Sequence, residues 1–262
     1  MSCSHVVVAE VERGDFGNRG KDGDWAERNE ALLALQRLFD EAARLEAPDD
    51  RDAEPAFDAE AWRALRLPLQ SSLKDLRSQL VREACALLVC IARACNDGAG
   101  APVPHVSRDG GRQCLRDAVP TLLELLSSGN RLNARFVDDC LLAIIARCRF
   151  KQFVAAVGEY ATPARRGKSA AVREACATYA SAIVTQWGVA YLGKHDDAVR
   201  MLQSTIAALV EDSSERARAS ARGAFAEFAA RWPELADDVV ARVDPRVGRL
   251  LAKARESRGG AP

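Results

Sequence analysis

Cations stand at the ends of several polar stretches of this chain: Lys74 and Arg77, Arg131, then Arg165, Arg166 and Lys168. Arg218 lies one turn into the helical pattern that follows Glu211–Ser214. An ammonium or guanidinium on a turn does binding chemistry, because it pairs with carboxylates on a partner surface. Trp25 occupies a comparable place, between a glycine-rich stretch and an apolar helical run. A ring there is either a packing staple or an interface anchor. Trp62, Trp187 and Trp232 fall within helical stripes or at helix ends and read as core. Catalysis has less to work with. The three histidines, His5, His105 and His195, are scattered. No nucleophile elbow, phosphate loop or dinucleotide fingerprint occurs. The reading is a binding protein, not an enzyme, with no cofactor.

Composition narrows the partner. Lys plus Arg equals Asp plus Glu, 37 each. That balance argues against a nucleic-acid footprint over the whole surface, while leaving room for one basic edge. A DNA-cradling helical enzyme would need a basic concave face holding a catalytic carboxylate, whereas these cations sit on turns. Eight cysteines show no C-x-x-C spacing, and most lie inside apolar helical patterns. They read as buried thiols of a reducing compartment, not as metal ligands. The first residues lack the pattern of a signal peptide, and no run approaches the roughly 20 apolar residues of a membrane span. The expected place is the cytoplasm, without membrane or nucleic-acid partners, as a monomer.

The elements that must carry these side chains are helices. Leu80-Val81-Arg82-Glu83-Ala84-Cys85 returns as Ala171-Val172-Arg173-Glu174-Ala175-Cys176, and more weakly as Arg216-Ala217-Arg218-Ala219. The spacing corresponds to a unit of roughly 45 residues, within the range of helix-pair repeats. Apolar periodicity of 3 to 4 residues places helices near 25–45, 58–73 (interrupted near Pro68), 78–94, 112–126, 132–148, 150–160, 169–187, 194–210, 215–231, 234–243 and 245–255. Asp24 is the expected N-cap of the first. Pairing them predicts an all-α solenoid of about five to six HEAT repeats. The turns within pairs are 71–77, 127–131, 161–168 and 211–214, and stacking aligns such turns along one edge. Acidic residues gather elsewhere, near Asp49–Asp52 and Asp237–Asp238. Arg82 and Arg173 are expected to bridge to an Asp of a neighbouring repeat. Residues 1–22 read as a flexible lead-in, 23–255 as one repeat domain and 256–262 as a tail.

Asp24-Trp25-x-x-Arg28, Lys74-Asp75-Leu76-Arg77-Ser78-Gln79-Leu80-Val81-Arg82-Glu83-Ala84-Cys85, Lys168-Ser169-Ala170-Ala171-Val172-Arg173 and Ala217-Arg218-x-x-Ala221-Arg222 resemble, in order and spacing, the TOG domain of the CLASP family. The resemblance covers residues 24 to about 251. It implies a flat paddle of HEAT repeats that binds αβ-tubulin or microtubules through its intra-repeat turns and regulates microtubule dynamics. Carried over by position, Trp25, Arg77, Arg131, Lys168 and Arg218 are the implied tubulin-binding residues. The chain departs from the family where 2–23 does not read as a helix, at the long loop 96–111, at Gly129-Asn130-Arg131 and in lacking basic Ser-rich linkers. A helical scaffold for another acidic partner is the alternative.

Overall fold

The computed structural model describes residues 3–14, 16, 25–44, 57–96, 106–164 and 167–259. These residues form twelve helices: α1 Cys3–Arg13, α2 Trp25–Ala42, α3 Ala59–Leu73, α4 Ser78–Ala94, α5 Arg108–Leu126, α6 Arg131–Arg147, α7 Lys151–Tyr160, α8 Ala170–Leu192, α9 Asp196–Val210, α10 Glu215–Arg231, α11 Pro233–Arg242 and α12 Pro245–Gly259. The chain is all-α. The only β-type pairing among the described residues is one bridge, Phe57 to Val106. Two compact units divide it, residues 1–148 and 149–262. Each is a short solenoid of three helix hairpins.

In unit 1 the first helices of the hairpins pack in series, α1 on α3 and α3 on α5, and the second helices likewise, α2 on α4 and α4 on α6. Unit 2 repeats the plan with α7, α9 and α11 in one layer and α8, α10 and α12 in the other. Apolar stripes explain the layers. α4 buries Leu80, Val81, Ala84, Cys85, Leu87, Leu88 and Ile91, a stripe wide enough to meet a helix on each side. Phe39, Phe57 and Trp62 form one aromatic cluster of unit 1, with the two Phe ring centroids 4.3 Å apart. All seven described thiols outside residue 3 are free and buried. Burial pushes Cys114 and Cys176 up to about 12.

Several boundaries differ from the sequence expectation, each for a packing reason. The lead-in contains α1, which packs on α2 and α3 and buries Val7 completely. Its run of three valines has weak helix propensity, so tertiary burial rather than local preference makes this helix. Helix α3 runs unbroken through Pro68, which is buried. Helix α5 begins at Arg108, so Gly110 and Gly111 are helical rather than loop. The Trp62 ring lies against Gly110 and the Cys95 thiol against Gly111, where a Cβ would collide with each. Helix α8 continues past Trp187 through a kink at Gly188, and α12 reaches Gly259. Asp24, the acidic loop 49–52, His105 and Arg165–Arg166 lie outside the described residues.

Candidate functional site

The turn inside each hairpin leads into the second helix, so these turns gather the N-termini of α4 and α6 in unit 1, and of α8, α10 and α12 in unit 2. Side chains tie neighbouring turns together. In unit 1, buried Arg28 on the first turn of α2 reaches Asp75 at 3.3 Å. The other Asp75 oxygen, Oδ1, accepts from the Arg77 backbone N–H at 2.9 Å, closing the turn before α4. One hairpin further, Asn130 caps α6 by accepting from the N–H groups of Leu132 and Asn133, and its amide donates to Ser78 on α4 at 3.3 Å. Gly129 before it adopts φ 78°, which a side chain would strain.

Unit 2 uses the same device more completely. Arg173 donates from Nη1 to the carbonyls of Gly167 (2.7 Å) and Lys168 (3.2 Å) in its own turn. Its Nε and Nη2 grip the Asp212 carboxylate of the next turn at 2.5 and 3.0 Å. Asp212 in turn accepts from the Ser214 N–H at 2.7 Å. Burial opposes the charged form of Asp212, but the hydrogen bonds from Arg173 and Ser214, with the charges of Arg173 and Arg218, outweigh it and hold the carboxyl below its ordinary value. The expected bridge from Arg173 to a neighbouring Asp is present. Arg82 makes none: it is half exposed and pairs with adjacent Glu83 at 2.7 Å. The next turn, 127–131, holds no carboxylate for it to reach. Arg28, not singled out as a bridging residue, fills that role in unit 1.

Each sequence-selected residue has a definite place on this framework. Trp25 is the first residue of α2 and is 39% exposed, whereas Trp62 and Trp187 are buried. Arg77 immediately precedes α4, and its Nη1 lies 3.6 Å from Asp75. Arg131 opens α6 as an exposed side chain, and Lys168 stands exposed two residues before α8. Arg218 is half-buried and spends Nη1 on the carbonyls of Asp212 (2.6 Å) and Ser213 (3.0 Å). Its bonds go six and five residues back, as those of Arg173 do, so it braces its own turn. Trp25, Arg77 and Arg131 thus share the turns of unit 1, and Lys168 and Arg218 those of unit 2.

Two residues escaped the sequence reading. Leu76, between Asp75 and Arg77, is 97% exposed, and Leu132, next to Arg131, is 53% exposed. For Leu76 the signal was present: a leucine between Asp75 and Arg77 on a turn has no helical stripe to join.

The helix starts also differ in charge. Helices α2, α3, α5, α9, α10 and α11 carry Asp or Glu in the first turn, where the helix dipole favours negative charge. Helices α4, α6, α8 and α12 carry none. Cations placed there work against the dipole, so helix stability does not explain them.

Comparison with known proteins agrees with this architecture. The chain is 25% identical over 184 residues to the CLIP-associated protein of Arabidopsis thaliana, covering 70% of this chain and 12% of that protein. It is 24% identical over 216 residues to CLIP-associating protein 1 of Xenopus tropicalis, covering 82% and 13% respectively. The chain therefore spans about an eighth of the length of these relatives. Among solved structures, the MAST/Orbit N-terminal domain superposes with TM-score 0.63 at 12% identity, over 95% of this chain and 96% of that one. A chain from the structural work on microtubule plus-end tracking by XMAP215, CLIP-170 and EB1 gives TM-score 0.63 at 17% identity, over 93% and 89%. The family model described as CLASP N terminal matches residues 14–252, which takes in both units and every turn described above, and the chain belongs to that family.

Proposed function

We propose that this chain binds αβ-tubulin through its intra-hairpin turns and regulates microtubule dynamics without catalysing a reaction. The observation that carries the reading is Trp25. It is the exposed indole of the chain, at the start of a helix whose first turn is locked by Arg28 to the turn bearing Leu76 and Arg77. A large ring held beside a rigid, partly apolar, cationic turn fits an anchor role. Arg131, Lys168 and Arg218 add positive charge at the other turns, complementary to an acidic surface. Solved structures of similar fold support the choice of partner, one from a study of TOG–tubulin binding specificity (TM-score 0.59) and one of tubulin recruitment by TOG domain arrays (TM-score 0.65). The place of action is then the microtubule cytoskeleton of the cytoplasm. Family and fold also favour binding over catalysis, and among the described residues no His, Cys, Asp or Glu cluster could hold a metal.

The test is co-elution or fluorescence titration of purified chain with αβ-tubulin, wild type against Trp25→Ala combined with Lys168→Ala. The double variant should lose at least about tenfold in affinity. Undiminished binding by that variant would remove the turn assignment. Absence of binding by wild type would favour a scaffold for a different acidic protein.

A further inference from the structure

The sixth hairpin turn, between α11 and α12, was not among the turns expected to bind. We infer that it belongs to the docking surface, with Arg246 as its contact residue to the same acidic partner; this rests on the tubulin-docking reading above.

Four observations within unit 2 converge on it. First, the sixth turn is tied directly to the fifth, because the Asp244 N–H donates to Glu211 Oε1 at 2.8 Å. The two turns are therefore neighbours. Second, Asp244 Oδ1 accepts from the Arg246 N–H at 2.7 Å, the same closure that Asp75 makes with Arg77 at 2.9 Å. The spellings match as well, Asp75-Leu76-Arg77 and Asp244-Pro245-Arg246. The registers differ: Arg77 caps α4, whereas Asp244 opens α12 and Arg246 is its second residue. Arg246 thus lies in the same first-turn window as Arg131 on α6.

Third, the first turn of α12 lacks the acid found on α2, α3, α5, α9, α10 and α11, and carries a cation that the dipole disfavours. By contrast, the cation that opens α7 is neutralised, since Lys151 pairs with Asp197 at 2.9 Å. Arg246 is exposed and its guanidinium has no partner among the described residues. Fourth, Arg218 has turned Nη1 back onto the carbonyls of its own turn. Outward charge at the fifth turn is then left to exposed Arg216, the second residue of α10, and Arg246 adds to it from the same register of the adjacent helix.

The experiment measures binding of the full chain to αβ-tubulin across a salt series for wild type, Arg246→Ala, Arg246→Glu and Arg200→Ala. Arg200 is an exposed cation near the start of α9, at the end of that helix away from the fifth turn, so it serves as the off-turn control. Replacing Arg246 keeps its backbone N–H, so the Asp244 closure and the fold are retained; a melting curve matching wild type verifies this. Arg246→Ala should weaken binding about threefold at low salt and Arg246→Glu about tenfold or more. Both deficits should shrink at high salt, with a flatter salt dependence for Arg246→Ala. Arg200→Ala should bind as wild type. If Trp25→Ala impairs binding while Arg246→Glu matches wild type at every salt, the sixth-turn inference is overturned and the docking reading stands. If wild type does not bind tubulin, both fall.

Discussion

At the turns of unit 1, large apolar side chains stand in water: Leu76, Leu132 and Trp25 all lie at the start of a second helix. Among the described residues of the unit 2 turns none does. Its exposed large hydrophobics, Val189, Met201 and Leu250, lie along helices α8, α9 and α12 instead. Its turns offer charge, through exposed Lys168, Arg216 and Arg246. The two units share one hairpin plan and one Arg–Asp device, yet they present different chemistry. Apolar contacts gain free energy roughly in proportion to buried area and respond little to salt. Exposed ion pairs are individually weak and screened. On the docking proposal, unit 1 supplies affinity, and unit 2 steering and register.

The largest expected effect tests the framework rather than the surface. Asp212→Ala leaves the buried Arg173 guanidinium without its carboxylate, which should cost about 3 kcal/mol by urea denaturation. Asp75→Ala should cost less, since its contact with Arg28 is longer, 3.3 Å against 2.5 Å. Equal losses would show that the two units depend on the device alike. The pH dependence follows from the depressed carboxyl of Asp212. Its contribution is complete above the ordinary Asp value of 3.8 and is lost as pH falls below that through the folded value. The wild-type advantage over Asp212→Ala should therefore persist to about pH 4 and fade below it.

Next comes the apolar half of the comparison. Trp25→Ala should reduce tubulin affinity by about 2 kcal/mol, and Leu76→Ser by about 1.5 kcal/mol. Both losses should be nearly constant across a salt series read by titration. A loss at Leu76 that vanished with salt would break the distinction between the units. The ionic half is smaller. Lys168→Ala should weaken binding about threefold at low ionic strength and not measurably at high. The smallest expected signal is chemical. With Cys114 and Cys176 raised to about 12, both stay protonated at pH 8 and should resist alkylation until the fold is opened by urea.

The fold was legible because its signals are periodic. The Val-Arg-Glu-Ala-Cys pair marked two second helices correctly, and Val81, Cys85, Val172 and Cys176 are all buried. What escaped depends on neighbours that spacing does not reveal. Arg82 and Arg173 are spelled alike, but only one faces a turn containing an Asp. Gly110 and Gly111 read as loop until Trp62 and Cys95 are seen to need their missing Cβ atoms. The valines of α1 are poor helix formers until α2 and α3 cover them. At the candidate site, charge on turns was visible in the sequence, while the exposure of Leu76 and the inward turn of Arg218 required coordinates.

Arg173 behaves as a gauge block. One nitrogen holds the backbone of the fourth turn and the others hold the carboxylate of the fifth, so the pitch between those turns is the length of one guanidinium. Bending unit 2 along this line would stretch charge-assisted bonds, and the mechanical compliance there is correspondingly low. Lys168 and Ser214 are consequently carried at a fixed separation. A partner must match that spacing, because the protein side cannot yield to meet it.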